Sequence, residues 1–352
     1  MWDNCLFYFK VMAKNDFKQV QEIGFKSLIE SFKKYTGTSR DNIIKGIGDD
    51  ASVSKQNAGK LTCTSSEIFM EGVHFDLTYT PFQHLGYKVV TAAVSDILAM
   101  NAEPEQILID VAIPNKYSVQ MIEQLYQGID AAANDYNITV SGGDTTASHQ
   151  LLAISVTCIG NTEKDNIIYR AGAKKDDIIC VTGELGSAIA GLRILLREKK
   201  SWQENPEQQF QPDLSSYEHV VQRQLLPKAR IDFFQSLSNS DVKPHCLIDL
   251  TQGLVADLSE VLKQSGVGAE IYSPAVPISL EARNVADEMN EDVDKYAFYG
   301  GEDFEMLFTL PEPLVEKFKA DFDDFIVIGK ITEAEKQLTV NTGEEHNYKI
   351  DL

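Results

Sequence analysis

Carboxylates recur beside glycine turns along this chain: GDDAS at 48–52, GGDTT at 142–146, IDLTQGL at 248–254 and GGEDF at 300–304. Two further acidic stretches, SSEIFMEGVHF (65–75) and VSDILAMNAEP (94–104), read the same way, with acids at or near sharp turns. An acid in the middle of a core strand is costly to bury, but acids at strand ends can converge on a shared cation. The pattern therefore asks for a fold that brings distant strand ends to one place.

Hydrophobic periodicity supplies such a fold. Val20, Ile23, Phe25, Leu28, Ile29 and Phe32 approximate helical spacing over 19–35. Short strands are predicted around 42–47, 50–54 and 60–65. A helix should run from Pro81, a favoured first-turn residue, to about 100. A strand follows at 105–114 and a helix at 118–136, with strands on either side of GGDTT. A second series begins near Asp176: strand, helix, a polar loop over 200–216, helices at 217–226 and 230–238, strand 246–250, helix 254–265, strand 268–273 and helix 279–290. The strand EMLFTL, a helix near 312–321 and the strand FIVIGKI close it. Strands alternate with helices in both halves, which implies an α/β or α+β architecture. At 352 residues the chain exceeds what one core usually serves. Two domains are expected, 15–165 and 166–352, each with its own core.

A formal net charge of −21 argues against nucleic acid or an anionic membrane surface as a partner. An anionic nucleotide would need cations or local Arg and Lys. The five cysteines are dispersed, with no zinc-ligand spacing, and read as reduced and cytoplasmic. The N-terminus lacks a signal-peptide pattern, and no apolar run is long enough to span a membrane.

GIGDDA matches the dinucleotide fingerprint GxGxxA, with Glu67 at a suitable distance, but two carboxylates there would repel a pyrophosphate. The segment also continues as ASVSK, a strand pattern where that motif needs a helix. No GxxxxGK[ST] is present. Asp50, Glu67, Asp96, Asp144 and Asp249 are better read as oxygen ligands for Mg²⁺, which takes carboxylates, water and substrate phosphates. Singly, each has an ordinary alternative as a helix cap, an Asx-turn or a solvated helix residue.

The order GDDA, EGVHF, SDILAM, GGDTT, RAGA, GGEDFE resembles the thiamine-monophosphate kinases, in the superfamily that includes aminoimidazole ribonucleotide synthetase and selenophosphate synthetase. The resemblance runs from about Ile23 to Gly329. It implies two α/β domains, a homodimer formed by the N-terminal domains, several Mg²⁺ ions, and transfer of the ATP γ-phosphoryl group to thiamine monophosphate. It further implies that Asp50, Ser65, Ser66, Glu67, Asp96, Asp144, Asp249 and Gln252 hold metal. Gly143, Asp144, Arg170 and Thr251 would meet ATP, and His74 and Glu302 the thiamine phosphate. His74 would position the substrate, because a phosphate acceptor is already ionised and needs no strong base; its alternative is a structural role beside Phe75. Tyr126 is a candidate for stacking on the nucleotide, against the alternative of a core aromatic. Tyr348 is a candidate lid over the substrate.

The chain departs from the family pattern at three positions. Glu67 stands where the family has Asp, displacing the carboxylate by about 1.5 Å. Ala93 replaces a common Asn. Gln252 replaces the second Asp of the DLSDGL-type turn, keeping an oxygen but no charge. A catalytically weakened paralogue that binds nucleotide or thiamine phosphate is therefore the alternative function, followed by a related ATP-using synthetase with another acceptor. If Gln252 weakens one metal ligand, Gln252→Asp raises turnover or lowers the Mg²⁺ requirement; steady-state assays that show neither change overturn that role.

Overall fold

The computed structural model describes residue 27 and residues 42–45, 49–55, 59–204, 212–343 and 347–350. The expected helix over 19–35 and the glycines of GIG lie outside these residues, apart from Ser27, which is helical. The architecture below belongs to the compact unit Ile44–Leu352.

The first half builds one sheet from Ile43–Lys45 (β1), Ser52–Lys55 (β2), Lys60–Met70 (β3), Glu103–Pro114 (β4), Thr139–Gly142 (β5), Thr145–Ser148 (β6) and Ala153–Glu163 (β7). The order is β1-β2-β3-β7-β4-β5, with β6 also on β4. Neighbours from β2 to β4 are antiparallel, whereas β5 and β6 run parallel to β4. GGDTT is thus an interruption between two short strands that share one neighbour, and its two threonines already belong to β6. Gly143 makes the break: a Cβ there would lie 1.8 Å from the Ile109 carbonyl oxygen, so only glycine allows this approach.

The helices Phe82–Ala99 (α1) and Val119–Asp135 (α2) cover this sheet's inner side. Pro81 is the N-cap of α1, one position before the predicted first turn. All but Gln83 and His84 of the eighteen residues of α1 are buried. A helix buried all round must be packed on more than one side. Indeed α1 packs against β3, β4 and β7 on one side and on the other against Cys246–Leu250 (β9), a strand of the second half.

The second half contains Asp177–Thr182 (β8), β9, Gly268–Tyr272 (β10), Glu305–Pro311 (β11), Phe325–Thr332 (β12), Leu338–Asn341 (β13) and Tyr348–Ile350 (β14). Its order is β14-β13-β10-β12-β8-β11-β9, antiparallel except for β10 with β13. The helices are Ser187–Glu204 (α3), Glu218–Leu225 (α4), Ile231–Asn239 (α5), Leu254–Ser265 (α6), Leu280–Met289 (α7), Val293–Tyr299 (α8) and Glu312–Lys319 (α9). Helix α3 extends five residues, 200–204, into the predicted 200–216 loop.

The cores are not divided as the halves are. One cluster joins Val90, Ile97 and Val156 to Cys180, Leu247 and Phe308 of the second sheet, while the other face of that sheet packs Ile248, Leu258 and Leu307 separately. Strand side chains alternate between faces, so a single sheet serves both clusters.

Helices α1 and α2 touch backbone to backbone. A Cβ on Gly86 would lie 2.0 Å from the Leu125 carbonyl oxygen, and one on Gly128 would lie 1.8 Å from that of Gln83. In an exposed helix Gly→Ala gains up to about 1 kcal/mol. Here overpacking reverses the sign: Gly128→Ala should lose about 1–3 kcal/mol or more. A denaturant titration showing unchanged or increased stability would contradict this contact.

Candidate active site

Three carboxylates from three kinds of element meet in the interior. Asp50 lies in the bend before β2, Asp96 near the end of α1, and Asp249 in β9. One oxygen of each lies within 4.8 Å of the others, and all three residues are buried. The expectation that every acid sits at a sharp turn is corrected for two of them. Asp96 lies inside a helix and Glu67 inside β3. Their burial is tolerated because neighbours supply hydrogen bonds. Ser65 Oγ donates to Asp96 Oδ2, and Ser95 Oγ donates to Asp249 Oδ2 at 2.5 Å. Arg170 Nη2 donates to Asp50 Oδ1, while the other oxygen, Asp50 Oδ2, is buried with no hydrogen-bond partner.

Strand alternation sorts the SSE run. Ser65 points inward to Asp96, and Glu67 on the same face interacts with Asp96 and Asp50. Ser66 points to the outward face, where its hydroxyl lies 3.1 Å from that of Thr157. Asp144 also stands apart from the trio. It is exposed, accepts from the Thr145 backbone N–H at 2.8 Å, and lines an outward hollow of about 310 Å³ with Ile68, Asp110, Thr146 and Ser155. Gly143 adjoins it at the strand break.

Burial pushes the trio toward the neutral acid. Asp50 is raised to about 8, burial outweighing its Arg170 partner, with Asp249 and Asp49 adding repulsion. Asp249 is raised to about 6 by burial despite the Ser95 bond. Asp96 is raised well above the carboxylate range by burial and by Asp249, Glu67 and Asp50. Glu67 is raised by burial as well. Hard oxygens gathered this closely, one of them unpartnered, fit a divalent cation that would restore their charge.

The IDLTQGL turn is fixed by a residue that sequence reasoning missed. Asp257, in the first turn of α6, accepts from the Thr251 and Gln252 backbone N–H groups at 3.0 and 2.9 Å. Burial raises it to about 7 against those two bonds. Gly253 supplies φ 101°. The side chain of Gln252 is exposed and Thr251 is half-buried. The spacing Asp249 to Asp257 across a glycine at a helix start was the available signal.

The acids of GGEDFE serve separate partners. Glu302 receives Lys88 Nζ at 2.9 Å and Gln224 Nε2 at 3.0 Å, both on Oε2. Asp303 is fully buried and accepts from the Gly186 N–H at 3.0 and 3.1 Å, holding the start of α3. Glu305 pairs with Arg223 and Arg230 at 2.9 and 2.7 Å and accepts from Thr182 at 2.6 Å. His74 is exposed, and its Nδ1 accepts from the Met70 N–H at 3.0 Å, which leaves the Nε2 position as an outward donor. Glu302 lies near His74. Tyr126 and Tyr348 are exposed on α2 and β14, and no described hydrogen bond or ring contact links either to the trio. Ala93 is fully buried in α1 among apolar neighbours.

Residues 48–162 match the AIR synthase related protein, N-terminal domain, and residues 174–341 match the C-terminal domain. Together with the two sheets and the buried acidic centre, these matches define a two-domain AIR synthase related protein. The thiamine-monophosphate kinase of Aquifex aeolicus (strain VF5) is 33% identical over 318 residues, 90% of this chain and 94% of that protein. That of Bacillus subtilis (strain 168) is 33% identical over 278 residues, 78% and 80% respectively. A solved structure, AaThiL complexed with AMPPCP and TMP, aligns with TM-score 0.79 at 30% identity, covering 95% of this chain and 98% of that one. The chain belongs to the thiamine-monophosphate kinase family.

The raised acids set a pH dependence. Each folded-state value lies above the unfolded one, so their contribution is fully present below about pH 4 and is lost as pH rises through about 6 to 8. The lowered acids Glu71, Asp76 and Glu302 act oppositely, and their contribution is lost in acid. Metal-free protein should therefore melt lower at about pH 8.5 than at about pH 6, and Mg²⁺ should raise the midpoint more at the higher pH, where it displaces fewer protons. Thermal melts with an equal or larger Mg²⁺ shift at the lower pH would refute this.

Proposed function

We propose that this chain phosphorylates thiamine monophosphate with ATP, giving thiamine diphosphate, with Mg²⁺ bound at Asp50, Asp96 and Asp249. The observation that carries the reading is the meeting of those three buried carboxylates from a bend, a helix and a strand. Support comes from relatives named thiamine-monophosphate kinase and from a similar structure whose complex holds AMPPCP and TMP.

In the reaction an acceptor phosphate oxygen bonds to the γ-phosphorus, the bond from that phosphorus to the β–γ bridging oxygen breaks, and ADP leaves. Bound Mg²⁺ supplies the neutralisation that lets two anionic groups approach. The protein's own part is placement. Ser65 and Ser95 orient Asp96 and Asp249, and Asp257 holds Thr251 and Gln252 at the mouth of the site. Arg170, paired with Asp50, is positioned to exchange that carboxylate for nucleotide phosphate. His74 presents an N–H to the substrate, and no side chain is needed as a strong base. Ser66 and Asp144 would serve a further ion on the outward side of the sheet, with Gly143 beside it against ATP, and Gln252 would be a neutral ligand. Tyr126 and Tyr348 remain candidate ring contacts for nucleotide and substrate.

This reading includes a cytoplasmic homodimer with a division near residues 165–166. Ile68 and Leu108 are exposed on the first sheet's outward face, apolar surface that a partner copy would cover. No described helix is long and apolar enough to cross a membrane.

Purified protein incubated with ATP, Mg²⁺ and thiamine monophosphate should yield thiamine diphosphate and ADP. Asp96→Asn should lower kcat by about a hundredfold or more, as expected for loss of electrostatic stabilisation. ATP binding without product from the unsubstituted protein would favour the weakened paralogue.

A further inference from the structure

Helix α1 carries a lysine where lysines are rarely found. Lys88 is 4% exposed, at the centre of the joint between the two halves. Its ammonium group donates to the Gln224 carbonyl oxygen at 2.9 Å and to Glu302 Oε2 at 2.9 Å. Burying an ammonium group costs several kcal/mol unless such partners compensate. Glu302 is the open end of the pair, with 32% of its side chain exposed. Its backbone is also constrained, with φ 58° and its N–H held by the Thr251 carbonyl at 3.0 Å. The Gln224 amide donates to the same Oε2, and no described hydrogen bond reaches Oε1.

We propose that Lys88, assisted by Gln224, is a positioning residue that clamps one oxygen of Glu302 and presents the other, as an ionised acceptor, to the organic part of thiamine monophosphate. The inference rests on the function proposed above. A carboxylate repels the substrate's phosphate but attracts its thiazolium cation and the amino group of its pyrimidine. The charged or polar groups facing Glu302 are Lys88 from α1, Gln224 from α4 and His74 from the loop before α1. Tyr79 lies within its field, and Asp303 turns away to the start of α3. Burial alone would raise the Glu302 carboxyl; Lys88 first, then the Gln224 hydrogen bond, more than offset this and hold it below the usual glutamate range.

Isothermal titration of the full chain with thiamine monophosphate tests the clamp. Lys88→Met should weaken binding by about tenfold near neutral pH, the size of one charged hydrogen bond. The ratio to the unsubstituted protein should grow from about pH 8.5 to about pH 6, because Glu302 without Lys88 takes up a proton. Glu302→Gln should weaken binding with no such growth, and adding Lys88→Met to it should cost little more. Affinity for a non-hydrolysable ATP analogue should change less than about twofold, which separates positioning from general damage. If Lys88→Met does not fold, Gln224→Leu removes only the second donor to Oε2 and should show the same pH trend with a smaller loss. Unchanged binding, or a loss that does not vary with pH, overturns the clamp. Absence of thiamine monophosphate binding to the unsubstituted protein overturns both the clamp and the proposed function. Binding without turnover leaves the clamp standing and overturns the catalytic reading alone.

Discussion

The burial of α1 between the two sheets is the constraint on which the rest depends. A helix of eighteen residues is about 27 Å long, enough to line the whole joint. Its sequence would suit an ordinary core helix except for the polar stripe Lys88, Thr91 and Ser95, spaced i, i+3 and i+7 on one face. Every member of that stripe reaches into the second half. Lys88 meets Gln224 and Glu302, Thr91 meets the Pro227 carbonyl, and Ser95 meets Asp249. Buried polar groups tolerate few alternatives, because each lost partner costs about 1–3 kcal/mol. The stripe therefore sets the rotation of α1, and this rotation carries Asp96 to Asp50 and Asp249.

The same coupling explains why the halves share a core. Had each half closed its own apolar core, the acids would face one another across water, at high dielectric and with ordinary titration. With Val90, Ile97, Leu247 and Phe308 in one cluster, the joint is packed with buried apolar side chains. The acids within it favour the neutral form until a cation compensates. Apolar packing thus strengthens the electrostatics of the site.

Much of this was legible in the sequence. Most of the strand and helix order follows from periodicity, although α8, β13 and β14 are absent from that reading; Asp50, Asp96 and Asp249 are singled out by the sequence alone. The alternation in KLTCTSSEIFM was enough to separate Ser65 and Glu67 from Ser66, once β3 was read as eleven residues and not six. What stayed hidden is long-range. Lys88 and Glu302 are 214 positions apart and Lys88 and Gln224 are 136 apart, and no local pattern reports such pairs. Asp96 falls inside the helix expected from Pro81 to about 100, but its burial there was not legible, because a buried acid in a helix conflicts with local preference, and a conflict of that kind marks function more often than error.

The turn IDLTQGL shows how the scaffold and the charge of a site can vary separately. Its backbone is held from outside by Asp257, through the N–H groups of residues 251 and 252, and from within by the left-handed Gly253. Neither device uses the side chain at 252, which is exposed. An amide there leaves Asp249 where the strand and Ser95 put it. It removes one negative charge from the open side of the site, where water screens it, and none from the buried trio. Gln252 is thus tolerable to the fold and confined in its effect to whatever ligand the open side holds, whereas the same exchange at Asp249 would remove a buried carboxyl group that Ser95 and Arg170 are arranged around.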